Sequence, residues 1–224
     1  MLRVVLAAFA ALAMSACSYG SAVDLAPFSA RIDKPAAAAG DYCEVKGQAA
    51  PFTVVSHEDC VPVIWDQATR TYTMVDPDDK EDSIQSAVVS LGSGVYAAQI
   101  DVKDDEHETP DRYQLHILLS KGNAFTMLSA LEDEPLKKLA KRHKQLTFKE
   151  DSTGRLYIVK GSPDRIKAFL RDAAKESLRA MKKEDEEFSI GILDKSGAPD
   201  HEASKAQTQD IEAILKLAKS MTPR

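Results

Sequence analysis

The feature that most constrains this chain is a long amphipathic segment over residues 162–184. Ser162 is a favoured N-cap, Pro163 fits the first helical position, and Asp164 would lie at the positive end of the helix dipole. Small or apolar side chains then recur every three or four positions: Ile166, Phe169, Leu170, Ala173, Ser177, Leu178 and Met181. Because a helix with one apolar face must bury that face, we expect it to pack across a sheet.

Upstream of this helix, the sequence has the two-residue period and the turn signals of strands. Four hairpins are expected, and their strand pairs are 61–66 with 71–76, 86–91 with 95–102, 112–119 with 124–128, and 145–149 with 155–160. Glycine lies in the second and third turns, where it tolerates positive backbone dihedrals. A short helix around Leu136 and Leu139 is expected between the third and fourth hairpins.

These patterns predict an α+β fold, namely an antiparallel β-sheet of six to eight strands with one long packed helix and a loosely attached C-terminal helix. The folded domain is expected over residues 41–184. Residues 185–224 are expected to form a linker and the C-terminal helix, which either docks on the domain or acts as a detachable arm that finds a partner.

The first 16 residues have the layout of a secretory signal peptide. Arg3 precedes an apolar run over residues 4–14, which is shorter than the roughly 20 residues that cross a bilayer. Residues 14–17, Met-Ser-Ala-Cys, resemble the lipobox of bacterial lipoproteins, although that family favours leucine where this chain has methionine. The resemblance implies cleavage before Cys17 and acylation of its sulfur. An ordinary signal-peptidase cut after Ser18 is the alternative.

The resemblance also implies a cellular location and an attachment to a membrane. A membrane would be the partner through the lipid anchor, and Ser18 after the cysteine implies the periplasmic face of the outer membrane, since aspartate there signals inner-membrane retention in this family. Residues 17–40 are rich in Ala, Ser and Pro without apolar periodicity. We therefore expect a flexible tether with a root-mean-square span of roughly 25 to 30 Å.

The cysteine count agrees with an anchor in an oxidising compartment. Once Cys17 is lipidated, Cys43 and Cys60 remain, and we expect them to form a disulfide. Such a bridge would stabilise the fold by about 3 kcal/mol in the chain-entropy model. The alternative is a pair of buried free thiols.

The charge balance excludes one class of partner. The chain has 29 Lys and Arg and 35 Asp and Glu residues, and removal of residues 1–16 takes away only Arg3. The mature chain therefore sets 28 basic against 35 acidic residues, a net charge of −7. Such a surface has no basic footprint for duplex nucleic acid, so we expect no nucleic-acid partner.

Candidate chemical groups are few. The acidic stretch around His107 offers oxygen ligands but lacks the regular spacing of a calcium loop, so we expect a solvated loop, no metal and no cofactor. The basic residues at 137–144 either contact anionic lipid or form a solvated helix face. Cys60 lies close to His57, yet a disulfide is favoured over a reactive thiolate.

No catalytic motif is present, so no catalytic residue is assigned. The sequence favours a membrane-anchored envelope lipoprotein that acts as a non-enzymatic binding or assembly module, with an envelope protein as a candidate partner. The alternative is a hydrolase of an envelope polymer with catalytic residues dispersed over several loops.

Overall fold

A computed structural model describes residues 18–36, 38–47, 54–75, 83–101, 112–122, 124–150, 154–184, 188–194 and 205–221. Within these ranges the chain forms eleven strands and three α-helices. In chain order they are β1 (Tyr19–Ser21), β2 (Gly40–Gly47), β3 (Val54–Asp66), β4 (Thr71–Met74), β5 (Ile84–Gly92), β6 (Val95–Asp101), β7 (Tyr113–Lys121), β8 (Ala124–Leu128), α1 (Asp133–Arg142), β9 (Thr147–Glu150), β10 (Leu156–Lys160), α2 (Pro163–Glu184), β11 (Phe188–Asp194) and α3 (Lys205–Met221). The predicted α+β class is confirmed.

Eight of the strands close into a ring. Strands β2 to β8 pair in chain order, and β11 pairs with both β8 and β2, so that every neighbouring pair in the ring is antiparallel. We call this ring the closed sheet and its interior the lumen. Rings of eight strands have an interior that side chains can fill or that can hold one small ligand.

Three strands extend the sheet beyond the ring. The first half of β7 pairs with β1, which runs parallel to β10, and β9 completes this extension. The expected sheet of six to eight antiparallel strands is therefore wrong in two respects, because eleven strands are present and one pair is parallel. The parallel pair joins strands that are far apart in the sequence, a contact that no local turn signal indicates.

The strands β5, β6 and β7 have apolar side chains on both faces. On β7, Leu115, Ile117 and Leu119 are fully buried on the outer face, while Leu118 faces the lumen. Since successive side chains of a strand point to opposite faces, each of these strands needs an apolar partner on each side. Helix α2 supplies one such partner by packing on the outer faces of β5 and β6.

An aromatic cluster centres on Phe169 of α2, whose side chain is fully buried. Its ring centroid lies 5.8 Å from that of Tyr19, 5.5 Å from that of His143 and 5.3 Å from that of Phe148. Tyr19 also accepts a 3.1 Å hydrogen bond at its hydroxyl from the backbone N–H of Leu131. The cluster thus joins α2 to β1, β9 and both ends of α1.

The segment before β2 is packed against the domain, and the prediction of a flexible tether over residues 17–40 is wrong for its described part. Leu25 and Ala26 are fully buried. Their backbone N–H groups donate to the side-chain oxygen of Gln99 at 2.7 and 3.2 Å, and the Gln99 amide donates to Asp24 at 2.7 Å. Composition alone did not predict this packing, because the hydrogen bonds that hold the segment come from Gln99, a buried residue far along the sequence.

The boundary predicted at residue 185 does not separate two units. Strand β11 lies in what was expected to be a linker, and it closes the ring between β2 and β8. Helix α3 is docked rather than loosely attached, with Ile214 fully buried and Ala218 6 % exposed. Leu217 packs so closely on Gly94 that a Cβ atom at that glycine would lie 2.9 Å from the leucine Cδ2.

The two cysteines expected to form a disulfide lie opposite each other. In the antiparallel pair of β2 and β3, Cys43 is the register partner of Cys60. Directly opposed residues in such a pair have Cα atoms about 4.5 to 5.5 Å apart, which falls within the range that a disulfide spans. The backbone therefore permits the bridge, and the bridge itself stays a prediction.

Replacement of Cys60 by serine is expected to lower the free energy of unfolding by about 3 kcal/mol under non-reducing conditions. Urea unfolding with and without a reductant measures this loss. The reductant should abolish the difference between the two proteins. Titration of two free thiols in the unreduced mature domain would contradict the bridge.

Replacement of Phe169 by alanine is expected to cost about 3 to 5 kcal/mol of stability, because it empties the centre of the aromatic cluster. Phe28, which is 52 % exposed and lies against Arg70, provides the matched control. Phe28→Ala should cost less than about 1 kcal/mol. Equal losses in chemical denaturation would show that α2 does not depend on this cluster.

Candidate functional site

The lumen contains an apolar cavity, and alternate residues of the ring strands line it. The aliphatic side chains are Val63, Met74, Val88, Ile100, Leu118 and Met127. The aromatic side chains are Tyr42, Tyr72, Tyr96 and Phe125. Three alanines, at positions 36, 38 and 98, leave space between these larger groups. The resulting cavity has a volume of about 90 Å³.

One end of the lumen is covered by the chain segment that precedes β2. Ala36 and Ala38 of this segment lie against the cavity. The Ser120 hydroxyl donates to the Ala36 carbonyl at 3.2 Å, and the Tyr42 hydroxyl donates to the Ala38 carbonyl at 2.8 Å. We call residues 32–36 and 38–39 the strap, because the backbone N–H of Ile32 also donates to the Val88 carbonyl of β5.

Further contacts fix the strap to the turn between β3 and β4. Arg70 forms a 2.6 Å ion pair with Asp33. The Gln67 side-chain amide donates to the Asp33 carbonyl at 3.2 Å. These contacts hold the strap across the end of the ring where the short turns lie.

The opposite end of the ring is where the acid-rich connections begin and end. Strands β4 and β6 end there, and strands β5 and β7 start there. Residues 76–82 and 102–111 therefore connect strands at this end. Both stretches, including the candidate calcium ligands around His107, lie outside the described residues. The ends of β4 and β6 and the starts of β5 and β7 therefore mark the end of the lumen opposite the strap.

The described lining of the lumen has few polar side chains. They are Ser86, His116 and Ser120 together with the tyrosine hydroxyls, and none of the lining residues that the structure describes is an Asp, Glu, Lys or Arg. His116 is only 2 % exposed. An apolar cavity with a few placed polar groups is typical of a small-molecule site.

A side chain whose fluorescence can report on ligand binding lies at the end of the lumen that the strap covers. Trp65 is the only tryptophan of the chain. Its ring centroid lies 4.7 Å from that of Tyr72, which lines the cavity, and its indole N–H donates to Gln67 at 3.0 Å. A molecule that reaches Tyr72 would change the surroundings of this indole.

A second, polar cleft of about 350 Å³ lies where α1, α2 and α3 meet. Two carboxylates face it. Asp172 accepts from Lys175 at 3.0 Å and lies 3.3 Å from His143, and Glu176 accepts from Arg142 at 2.9 Å. The arrangement superficially resembles what a hydrolase requires, since it holds two carboxylates and a histidine with a polar orienter.

The electrostatics of the cleft indicate a structural clamp instead. Burial alone would raise the pKa of Asp172, but Lys175 and His143 together outweigh it and lower that pKa. The hydrogen bond from Arg142 lowers the pKa of Glu176, with a further contribution from Arg179. A general acid needs a raised pKa, and both carboxylates have the opposite shift. The clamp joins α1 to α2.

The structure tests some of the residues singled out in the sequence and not others. Cys17 lies outside the described residues, so its lipidation stays a prediction. In the basic stretch at 137–144, Lys137 forms a 3.0 Å ion pair with Glu150, and Arg142 is held in the clamp. The lumen itself was missed, because closure of the ring brings together strands that are distant in the sequence.

Comparison with known proteins gives no relative from which a function can be transferred: no family model, no curated protein and no solved structure matches this chain. Within the described ranges, no group of three or more His, Cys, Asp and Glu side chains is arranged to hold a metal ion. None of the described helices has both the length and the apolar character needed to cross a membrane. The candidate site is therefore argued from its own geometry.

The clamp should stabilise the fold in a pH-dependent way. A carboxylate with a lowered pKa contributes stability above its unfolded-state pKa, and this contribution disappears as the pH falls through the folded-state pKa. Asp172→Asn is therefore expected to lower stability by up to about 1 kcal/mol at neutral pH, and the difference should shrink as the pH falls below about 4 and disappear once it is below the lowered pKa of Asp172. Urea unfolding at both pH values measures it.

The control is Glu212→Gln on α3, where the glutamate is exposed. This variant should follow the wild type at both pH values. A loss for Asp172→Asn that is as large in acid as at neutral pH would contradict the clamp.

Proposed function

We propose that this chain is an envelope lipoprotein whose closed sheet binds an apolar small molecule in the lumen. The observation that carries the proposal is the cavity itself, because its described lining comes from seven strands of the ring and the strap, is mainly apolar and includes no Asp, Glu, Lys or Arg. Such a site stabilises a ligand mainly by removing apolar surface from water, at about 25 cal/mol for each Å². This is a binding function and needs no catalytic group.

The size of the cavity limits how the ligand enters. A volume of about 90 Å³ holds only part of a hydrocarbon chain or one small ring. Met74, Met127 and Leu118 are half-buried on the wall, and methionine side chains adapt their shape readily. The ligand would therefore occupy the existing cavity and displace these side chains, or extend towards the end of the ring opposite the strap.

The lipid anchor supports an envelope address for this site. Ser18 is 7 % exposed and Tyr19 already belongs to β1, so only one residue separates Cys17 from the folded sheet. One residue spans at most about 3.6 Å. A lipid on Cys17 would hold the closed sheet at the membrane surface, where apolar molecules partition.

Binding is expected to be saturable with the neutral dye phenylnaphthylamine, whose emission rises in apolar surroundings. Ala98 lies on the lumen wall and is 6 % exposed, so Ala98→Phe should fill the cavity and weaken dye binding about tenfold or more. Ala180→Phe, the same change at an exposed position of α2, should leave the affinity unchanged.

Thermal unfolding of both variants shows whether they are folded. Equal dye affinity for the wild type and a folded Ala98→Phe variant would place the dye elsewhere and contradict the proposal. Trp65 emission, followed in the same titration, should change in the wild type and not in Ala98→Phe.

The anchor is tested separately in cells. Metabolic labelling with a clickable fatty acid should mark the wild type and Cys43→Ser, and Cys17→Ser should be unmarked and should leave the membrane fraction. An unlabelled wild type, or a Cys17→Ser protein that still fractionates with membranes, would contradict lipidation.

A further inference from the structure

Four aromatic side chains line the cavity, and they are distributed evenly around the ring. They are Tyr42, Tyr72, Tyr96 and Phe125. These residues belong to β2, β4, β6 and β8, which are every second strand of the eight in the ring. A molecule inside the cavity would therefore have aromatic side chains around it rather than on one side only.

Contacts between rings position three of these four side chains. The ring centroids of Tyr42 and Phe125 lie 5.0 Å apart, with an angle of 52° between the ring planes. Phe125 is the register partner of Gly191 on β11, and because glycine has no side chain, the phenyl ring can extend across that strand to Tyr42. Tyr72 packs on Trp65, with 4.7 Å between the centroids. The protein itself thus holds much of the aromatic wall in place, which lowers the cost of ordering it around a ligand.

Two methionines add a second kind of group that favours aromatic partners. Met74 and Met127 line the same cavity. Met74 packs against the small buried cluster that contains Tyr42, as do Tyr72 and Phe125. A thioether makes favourable contacts with aromatic rings and adapts its shape to them. The wall therefore offers an aromatic ligand two kinds of contact, ring to ring and sulfur to ring.

These groups distinguish three classes of ligand. A saturated chain or ring would gain only the burial of its apolar surface. An aromatic ring buries a similar surface and gains about 2- to 10-fold in affinity for each well-placed aromatic partner. A cation also binds to aromatic faces, but here it would have to leave water for a wall that includes Val63, Val88 and Leu118. The residues of the wall favour the aromatic ring.

We propose that the lumen ligand carries an aromatic ring, and that Tyr96 and Phe125 select this ring over a saturated group of the same size. This inference rests on the proposed apolar binding function. In this arrangement the ring of the ligand occupies the cavity of about 90 Å³ between the aromatic side chains, and the two methionines adjust to its outline.

The test uses three neutral alcohols that each have eight carbon atoms, namely phenylethanol, cyclohexylethanol and octanol. Their affinities for the mature domain are measured by displacement of phenylnaphthylamine. Burial of apolar surface alone would make phenylethanol the weakest ligand of the three, because it is the least hydrophobic. We expect the opposite order for the two cyclic alcohols, with phenylethanol bound about threefold or more tightly than cyclohexylethanol.

Two variants assign this preference to side chains of the lumen. Phe125→Leu and Tyr96→Leu each replace an aromatic ring by a saturated side chain. Each should lower the preference for phenylethanol over cyclohexylethanol by about 2- to 10-fold, the range for one aromatic pair, and change octanol binding less than about twofold. Phe148→Leu, the same change in the aromatic cluster outside the lumen, should leave all three affinities unaltered.

If either lumen variant does not fold, methyl resonances of the wild type decide the question. Bound phenylethanol should shift the methyl resonances of Met127 and Leu118 further than bound cyclohexylethanol does, because only an aromatic ring has a ring current. The methyl resonance of Met221, which borders the polar cleft, should stay in place with both alcohols.

Three results would overturn the inference while leaving the proposed function intact. They are tighter binding of cyclohexylethanol than of phenylethanol by the wild type, an unchanged preference in both folded variants, and equal methyl shifts with the two cyclic alcohols. Tetramethylammonium chloride tests the cation, and displacement of the dye at a lower concentration than phenylethanol requires would also overturn the inference. Failure of the dye and of all three alcohols to bind the wild type would instead overturn the proposed function, and this inference with it.

Discussion

The structure depends on the burial of three central strands on both of their faces. Strands β5, β6 and β7 have apolar side chains pointing in both directions, and an open sheet with one helical layer would leave one set in water. Helix α2 covers the outer set. Closure of the ring covers the inner set, because it turns the second face towards other strands. The lumen is thus a consequence of the same constraint that positions the helices.

Closure in turn explains why the first and last described segments of the chain are part of the fold. Strand β11 completes the ring after α2, and α3 follows it back over β7, β8 and β11. At the other end of the chain, Gln99 fixes the backbone at Leu25 and Ala26, and the strap then crosses one end of the lumen before β2 begins.

The elements that could be predicted from the sequence are those with local signals. Turn residues, caps and periodicity indicate the four hairpins and the helix that begins at Pro163. At the majority of strand ends, the observed bound differs from the expected one by only a few residues. Strand β11 was missed because both of its partners, β2 and β8, are distant in the sequence. Strand β2 was also missed, although it pairs with the next strand, β3. In β11, Gly191 also reads as a loop signal, although the strand continues through it.

The candidate site was beyond sequence reasoning for a related reason. Its lining is spread over seven strands and the strap, and no two of its polar residues form a motif. His116 reads as an isolated histidine in an apolar run, which is as typical of a core residue as of a ligand contact. Only the register that sets it opposite Ala98, together with ring closure, places it on a cavity wall.

The central claim is that an apolar ligand enters the lumen, and methyl resonances of the methionines test it most directly. Met74 and Met127 line the cavity, whereas Met221 of α3 borders the polar cleft outside the ring. When phenylnaphthylamine is added to the mature domain, we expect the resonances of Met74 and Met127 to shift and that of Met221 to stay in place. Saturable dye binding that leaves both lumen methionines unmoved, or that shifts Met221 alone, would contradict this account.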